Sequence, residues 1–250
     1  MELPRDTLTV DIETSPCIGY FWRPGHKISV PAENVIEPSR IICVGYKWSH
    51  EKQVRMLDWG DAQDDKPILE ELNPVFDQAV LLVGQNHQRF DLRWIAARNA
   101  YHNLPPIDLT TPTADTLVLS RKHFEMPSHK LDFMAQYFGL GGKMEHEGFK
   151  LWTKVMAGDP HALVKMKRYC RRDVALTEQY LIRILPYVSL MKTSISMLTG
   201  AGREACPQCG AKHVIKHGKF VSRAGSYQKW QCKECAHVWK DNRMLKDKLQ

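Results

Sequence analysis

The chain has 250 residues, with 43% apolar and 25% charged side chains and a formal net charge of +7, which suits a globular protein with one large core and room for a small satellite module. No apolar run approaches the roughly 18 residues of a membrane span, and no secretory signal pattern opens the sequence, so a cytoplasmic protein with no membrane partner is expected. The excess charge is all in residues 201–250, with eleven Lys and Arg against four Asp and Glu, while residues 1–200 hold 24 of each sign. A neutral body with a basic module predicts a polyanionic partner for that module.

In chain order, residues 8–14 read as a strand. Leu8, Val10 and Ile12 fall on one face, and Thr9, Asp11 and Glu13 on the other. Paired carboxylates repel each other unless a cation lies between them, so this strand is a candidate floor for a metal site. A solvated edge strand would look the same, and these residues alone leave both readings open. Residues 16–38 are rich in Pro and Gly and carry Tyr20, Phe21 and Trp22, which predicts a long surface loop. Residues 40–48 and 53–59 read as two strands joined by a polar turn. A helix with apolar positions 68, 69, 72, 75 and 76 is predicted over 66–78, then a buried strand over 79–84.

Residues 84–92 leave that strand and enter a helix over 91–100, the edge of an open α/β sheet where ligands usually bind. Asp91 there, taken alone, reads first as a carboxylate capping the helix N-terminus. Helices are further predicted over 114–123, over 128–140 with Ser128 as N-cap, over 159–185, and on to about residue 198. Tyr169 and Asp173 are one turn apart on the long helix, as any half-buried tyrosine and surface acid could be. Cys17, Cys43 and Cys170 are scattered and are read as small buried apolar residues.

Taken together, Asp11-x-Glu13, then Asn86-x-x-x-Phe90-Asp91, then Tyr169-x-x-x-Asp173 resemble the three motifs of the DEDD superfamily of 3′–5′ exonucleases. The resemblance covers roughly residues 5–185. Asp115-Thr116 and Lys130-Leu131-Asp132 also look like family features, and Tyr169 matches the tyrosine branch. It implies a ribonuclease H-like α/β fold, a mixed five-stranded sheet flanked by helices, in a domain spanning 1–199. It also implies two Mg²⁺ or Mn²⁺ ions held by Asp11, Glu13, Asp91 and Asp173, with Tyr169 orienting the attacking water and Asn86 and Phe90 meeting substrate. Hard divalent cations prefer such oxygen ligands, and a pair of them suits phosphodiester hydrolysis.

Residues 200–250 form a second expected domain, after a hinge at 200–202. Cys206-x-x-Cys209 and Cys232-x-x-Cys235, separated by 22 residues, predict one structural Zn²⁺ in a zinc ribbon. Its spacer reads as strands over 214–220 and 227–231 with a turn at 222–226. His213, His217 and His237 are left out because four thiolates complete a tetrahedral site. Lys212, Lys216, Lys219, Arg223, Tyr227, Lys229 and Trp230 suit phosphate contacts and base stacking. A structural or protein-binding ribbon would keep the same cysteines.

The expected function is a 3′–5′ exonuclease acting on DNA, single-stranded or at 3′ ends, with a replication or repair partner in trans. The alternatives are an exoribonuclease, a non-catalytic zinc-ribbon nucleic-acid binder, and a ribonuclease H-like transposase. The transposase fits poorly with Glu13 and Tyr169, and a retired nuclease should have lost a carboxylate.

Overall fold

The computed structural model describes residues 3–23, 25, 29–108, 111–141, 147–188, 205–207, 210–222 and 225–244. The expected hinge at 200–202, the helix expected to reach residue 198, Cys209 and Arg223 lie outside the described residues. The chain divides into two compact units. One is Arg5–Tyr187, and the other comprises Val188–Gln250 with Met1–Pro4.

The larger unit is an α/β fold. In chain order it has strands β1 (Thr7–Thr14), β2 (Ile18–Gly19), β3 (Val35–Glu37), β4 (Ile41–Trp48) and β5 (Arg55–Asp58). Helix α1 (Lys66–Phe76), strand β6 (Leu81–Gly84), helix α2 (Asp91–Tyr101) and strand β7 (Thr113–Asp115) follow. Four helices complete it: α3 (Thr116–His123), α4 (Leu131–Tyr137), α5 (Phe149–Met156) and α6 (Pro160–Ile184). Five strands form one sheet in the order β5-β4-β1-β6-β7. β1 is antiparallel to β4 and parallel to β6, and β6 is parallel to β7. The mixed five-stranded sheet expected from the motifs is what the chain forms.

The pleat of β1 sorts its residues as the sequence predicts. Leu8, Val10 and Ile12 are at most 4% exposed and join a buried cluster with Ile68, Leu69, Leu72 and Phe76 of α1 and Leu92 and Ile95 of α2. Each such side chain contributes about 1.5–3 kcal/mol of burial. The other face is covered too, by α6. Asp11 lies opposite Gly45, Glu13 opposite Cys43, and Thr9 opposite Lys47. Along α6, the Cys170 thiol is hydrogen-bonded with that of Cys43, Cys170 and Val174 crowd Gly45, and Glu178 binds Lys47 at 2.5 Å. These helix residues are four apart, so one stripe of α6 tracks one row of the sheet.

Several local expectations need correction. Residues 16–38 are not only loop, because β2 and β3 pair as a small antiparallel ribbon. Residues 113–115 are the fifth strand rather than the start of a helix; Asp115 then caps α3 through Leu117 N and Val118 N at 3.0 and 3.3 Å. Helix α4 begins at Leu131 with no side-chain cap, and Ser128 bonds Lys130 N in the approach to it. Helix α5 has no counterpart in the sequence reading. Cys17 is exposed, whereas Cys43 and Cys170 are buried as expected.

The smaller unit holds a three-stranded antiparallel sheet of β8 (Val214–Ser222), β9 (Gly225–Cys232) and β10 (Val238–Met244), in the order β10-β9-β8. The first two strands lie where the spacer predicts them, and the third was not anticipated. No described helix is long and apolar enough to cross a membrane.

Candidate active site

Three elements bring the motif residues together. β1 carries Asp11 and Glu13, α2 starts at Asp91, and α6 carries Tyr169 and Asp173. β6 pairs with β1 only across Thr7–Thr9, so β1 runs on past its parallel neighbour. Asp91 takes up the slack: its Oδ1 accepts the Ile12 N–H at 3.0 Å, between the two β1 carboxylates. On the α6 side, the Cys170 thiol donates to the Asp11 carbonyl at 3.5 Å. Tyr169 donates its hydroxyl proton to Asp173.

The loop that delivers Asp91 is itself pinned. Asp115 accepts from Asn86 N at 3.0 Å, and Asn86 holds the left-handed φ of 61° that starts the turn. Arg89 N and Phe90 N both bond the Asn86 carbonyl at 3.1 Å. The Phe90 ring is 39% exposed and meets Trp94 edge-to-face at 6.3 Å. Asn86 therefore shapes the backbone, and Phe90 offers a ring to solvent at the mouth of α2.

The electrostatics are those of crowded acids. Burial, then Asp91, Glu13 and Asp173, push the Asp11 carboxyl well above the usual range. Burial, Asp173 and Asp91 raise Glu13 to about 8. Burial raises Asp91 to about 7 despite the backbone N–H groups that favour its ionised form. Asp173 also reaches about 7, through burial and then Asp132, against the opposing Tyr169 bond and Arg172. Burial and the surrounding carboxylates, Asp173 first, raise Tyr169 as well, so it keeps its proton. Among the described residues no Lys, Arg or His forms an ion pair with Asp11, Glu13 or Asp91. The set is all hard oxygen and under-compensated, which fits divalent cations such as Mg²⁺ or Mn²⁺. Asp132, Cys170 and Gly45 belong to this neighbourhood; the sequence marks Asp132 only as part of Lys130-Leu131-Asp132 and Cys170 only as a small buried residue, and gives Gly45 no role. A glycine inside an otherwise continuous apolar strand was the one available signal for Gly45.

Among the described residues, three or more ligand atoms all within 4.8 Å of one another occur in two places, and both could hold a metal. Neither is the four-carboxylate set, whose oxygens stand farther apart. One is Asp64, Asp65 and His102. There the buried Asp65 already accepts from Arg98 at 2.6 and 2.9 Å, from Ile41 N at 2.9 Å and from His102 at 2.6 Å. Burial would raise Asp65, but these bonds outweigh it and hold its carboxyl below the usual value. A cation would have to displace Arg98, so the cluster acts as a clamp joining α1, α2 and β4. A cavity of about 450 Å³ opens beside the clamp, lined by Arg40, Gln63, Arg98 and Tyr101 among others, and none of the motif residues lines it.

The second place is Cys206, Cys232 and Cys235, with Cys206 and Cys235 Sγ 3.6 Å apart. Each knuckle closes in the same way: Cys206 N bonds the Ala211 carbonyl at 2.8 Å, Cys232 N bonds the His237 carbonyl at 2.9 Å, and the residue four beyond each first cysteine (Gly210, Ala236) has positive φ. Soft thiolates at this spacing fit Zn²⁺.

The residues expected to bind nucleic acid do not share one surface. Direct cross-strand partners lie on one face of a sheet. Lys216, Lys219 and Trp230 therefore face one way, and Tyr227 and Lys229 the other. Lys212 precedes β8 and is exposed. Phe220, Trp239 and Lys240 complete these faces and were missed.

No protein-family model matches the chain, and no curated protein matches it in sequence. Solved structures do match. One is the family B DNA polymerase from the hyperthermophilic archaeon Pyrobaculum calidifontis, with a TM-score of 0.55, 18% identity and 72% of this chain covered. The match covers 24% of the polymerase, so this chain corresponds to about a quarter of it. At that identity the likeness is one of fold.

Proposed function

We propose that this protein is a metal-dependent 3′–5′ exonuclease that hydrolyses DNA at single strands or 3′ ends, with its C-terminal module assisting nucleic-acid binding. The observation that carries the reading is the convergence of four carboxylates from three elements, Asp91 buried and Asp11, Glu13 and Asp173 half-buried, each raised in pKa, with no basic ion-pair partner for Asp11, Glu13 or Asp91 among the described residues. Burying such a set weakens the fold, so its presence calls for a functional reason.

Asp11, Glu13, Asp91 and Asp173 would hold two Mg²⁺ or Mn²⁺ ions, which when bound supply a water activated at neutral pH and relief of charge at phosphorus. The chain's own groups do the rest. Tyr169 stays protonated and donates a hydrogen bond to Asp173, so its role is to position the attacking water and not to act as a base. The exposed Phe90 ring can stack on the terminal base, and Asn86 fixes the turn that presents it. In the second unit Cys206, Cys209, Cys232 and Cys235 would hold a structural Zn²⁺. The DNA polymerase among the fold neighbours favours DNA over RNA, and no carboxylate is missing, whereas a retired nuclease body would have lost one.

The test is digestion of 5′-labelled DNA and RNA oligonucleotides of one sequence, with added Mg²⁺ or Mn²⁺. Asp11→Ala and Asp173→Ala should each abolish shortening from the 3′ end while circular dichroism shows an intact fold. Wild-type rates in either variant would overturn the assignment.

A further inference from the structure

We propose that one face of the C-terminal sheet, carrying Lys216, Lys219, Trp230 and Trp239, is a stacking platform for single-stranded nucleic acid. This rests on the reading that the module serves a nuclease, and it adds which face, which residues and which strandedness.

The pleat sorts the side chains of this sheet. On β9, Gln228, Trp230 and Cys232 point one way and Tyr227, Lys229 and Gln231 the other. The pairings Lys216↔Trp230 and Trp230↔Trp239 set a row of one lysine and two tryptophans across all three strands. Lys219 pairs with Gln228, two residues along β9 on the same face. In a regular strand Lys216 and Lys219 would point to opposite faces, because they are three apart. They share a face because the register shifts by one residue between them. Gly218, at φ +82°, sits in that bulge, where a glycine meets the left-handed geometry without strain. The Gln228 side-chain amide binds the Gly218 carbonyl at 2.8 Å and holds the bulge in place. One extra residue thus converts an alternating basic strand into a one-sided basic edge.

The opposite face is already occupied by its own side chains. Lys240 Nζ lies 4.9 Å from the ring centroids of both Phe220 and Tyr227, which pair directly across β8 and β9. That cation is engaged with these rings, and they are partly covered by it. On the tryptophan face no lysine caps either indole among the described residues. Lys216 and Lys219 are exposed, Trp230 and Trp239 are half-buried, and His237 stacks beside Trp239 at 5.9 Å and 11°.

Flat π-surfaces flanked by exposed cations recognise unpaired bases and their phosphates. A duplex keeps its base faces stacked internally and offers such a surface only its backbone. The charge balance of residues 201–250, still near +5 after a Zn²⁺(Cys)₄ site removes two charges, favours a polyanion over a protein partner.

The test uses the zinc-loaded full chain, without added Mg²⁺ or Mn²⁺, and fluorescence anisotropy with a labelled oligothymidylate and a duplex of equal length. Trp239→Ala should weaken single-strand binding by about tenfold, the loss of one base-stacking contact, while Trp239→Phe retains most of it. Replacing Lys216 and Lys219 with Ala should lower the magnitude of the log–log salt slope by about 1.4, at about 0.7 per phosphate contact. Tyr227→Ala on the opposite face should leave affinity within about twofold of wild type. Equal losses on both faces, no loss in Trp239→Ala, or duplex binding as tight as single-strand binding would each overturn the proposal. Its failure is separable from failure of the nuclease reading. Binding can map to this face in a chain whose Asp11→Ala variant still degrades DNA, and Asp11→Ala can abolish cleavage where Trp239→Ala binds normally.

Discussion

At the scale of single residues, the two cysteine knuckles use one backbone solution with unequal side chains. Gly210 and Ala236 both sit four residues after the first cysteine of their pair, at φ 77° and 58°. Glycine adopts that conformation freely, whereas alanine is disfavoured there by about 1–2 kcal/mol. Ala236 is exposed, so removing its methyl costs almost no packing. Ala236→Gly should therefore stabilise the zinc-loaded module, by about 1 kcal/mol after the added freedom of the unfolded chain is subtracted. Chelator titration followed by thiol release checks this, and earlier release in the variant would contradict it. The motif residues were legible because carboxylates and cysteines at fixed spacing are chemically costly without a purpose. Asp132 was legible only as part of Lys130-Leu131-Asp132 and Cys170 only as a buried residue; that they meet the site follows from the fold of α4 and α6 and not from sequence spacing. Cys17 was misread because an isolated cysteine next to a surface ribbon has no pattern that announces exposure.

At the scale of elements, α6 is the part on which the site depends. It lies against β4 and β1 along the row Cys170, Val174 and Glu178, and that contact fixes where Tyr169 and Asp173 point. The approach is close because position 45 has no side chain: a Cβ there would stand 2.9 Å from Val174 Cγ2, 3.1 Å from Cys170 Sγ and 3.2 Å from Met56 Sδ. Gly45→Val should push α6 off the sheet, lowering stability by about 1–3 kcal/mol and cutting cleavage more than substrate binding. Thermal unfolding and single-turnover rates measure the two effects, and an unchanged melting temperature would show that α6 does not need this approach. The long periodic elements (β1, α1, α2, α6) were legible in the sequence because their apolar spacing repeats over several turns or pleats. β7 was lost because three residues carry no period, and Asp115 doubles as the cap of the next helix. α5 was lost because it is only eight residues long, although its apolar positions are helically spaced, and β10 because it mixes polar with aromatic positions. Ser128 sits close enough to α4 to look like its cap, but its hydroxyl turns to the approach instead.

At the scale of the whole molecule, the raised carboxylates make stability depend on pH and on cations. In the unfolded chain these acids ionise near pH 4, whereas in the fold Asp91 and Asp173 ionise near 7 and Glu13 near 8, with Asp11 also raised. Between those values the folded state holds more protons. The contribution of this group to the stability of metal-free protein therefore falls as pH rises from about 4 to about 8, and levels off beyond. Divalent cations bind the ionised set and should stabilise more at about pH 8.5 than at about pH 5.5, with about 2.7 kcal/mol expected at a hundredfold excess over Kd. Calorimetric melting with and without Mn²⁺ at both pH values measures this. Equal increments at the two pH values would mean that the carboxylates do not act as one cation-binding set.

The bond from Ile12 N–H to Asp91 gives the four acids unequal histories under mutation. Asp11 and Glu13 burden the folded chain with desolvated, mutually repelling charge, whereas Asp173 also accepts the Tyr169 hydroxyl and faces Arg172, so a neutral residue at 11 or 13 should leave the fold sounder than one at 173. Asp91 closes the edge of β1 beyond the end of β6, so its loss must also leave a backbone donor to find a new partner. A chain under no demand to bind cations there would therefore shed Asp11 and Glu13 before Asp173 or Asp91. This chain carries all of them.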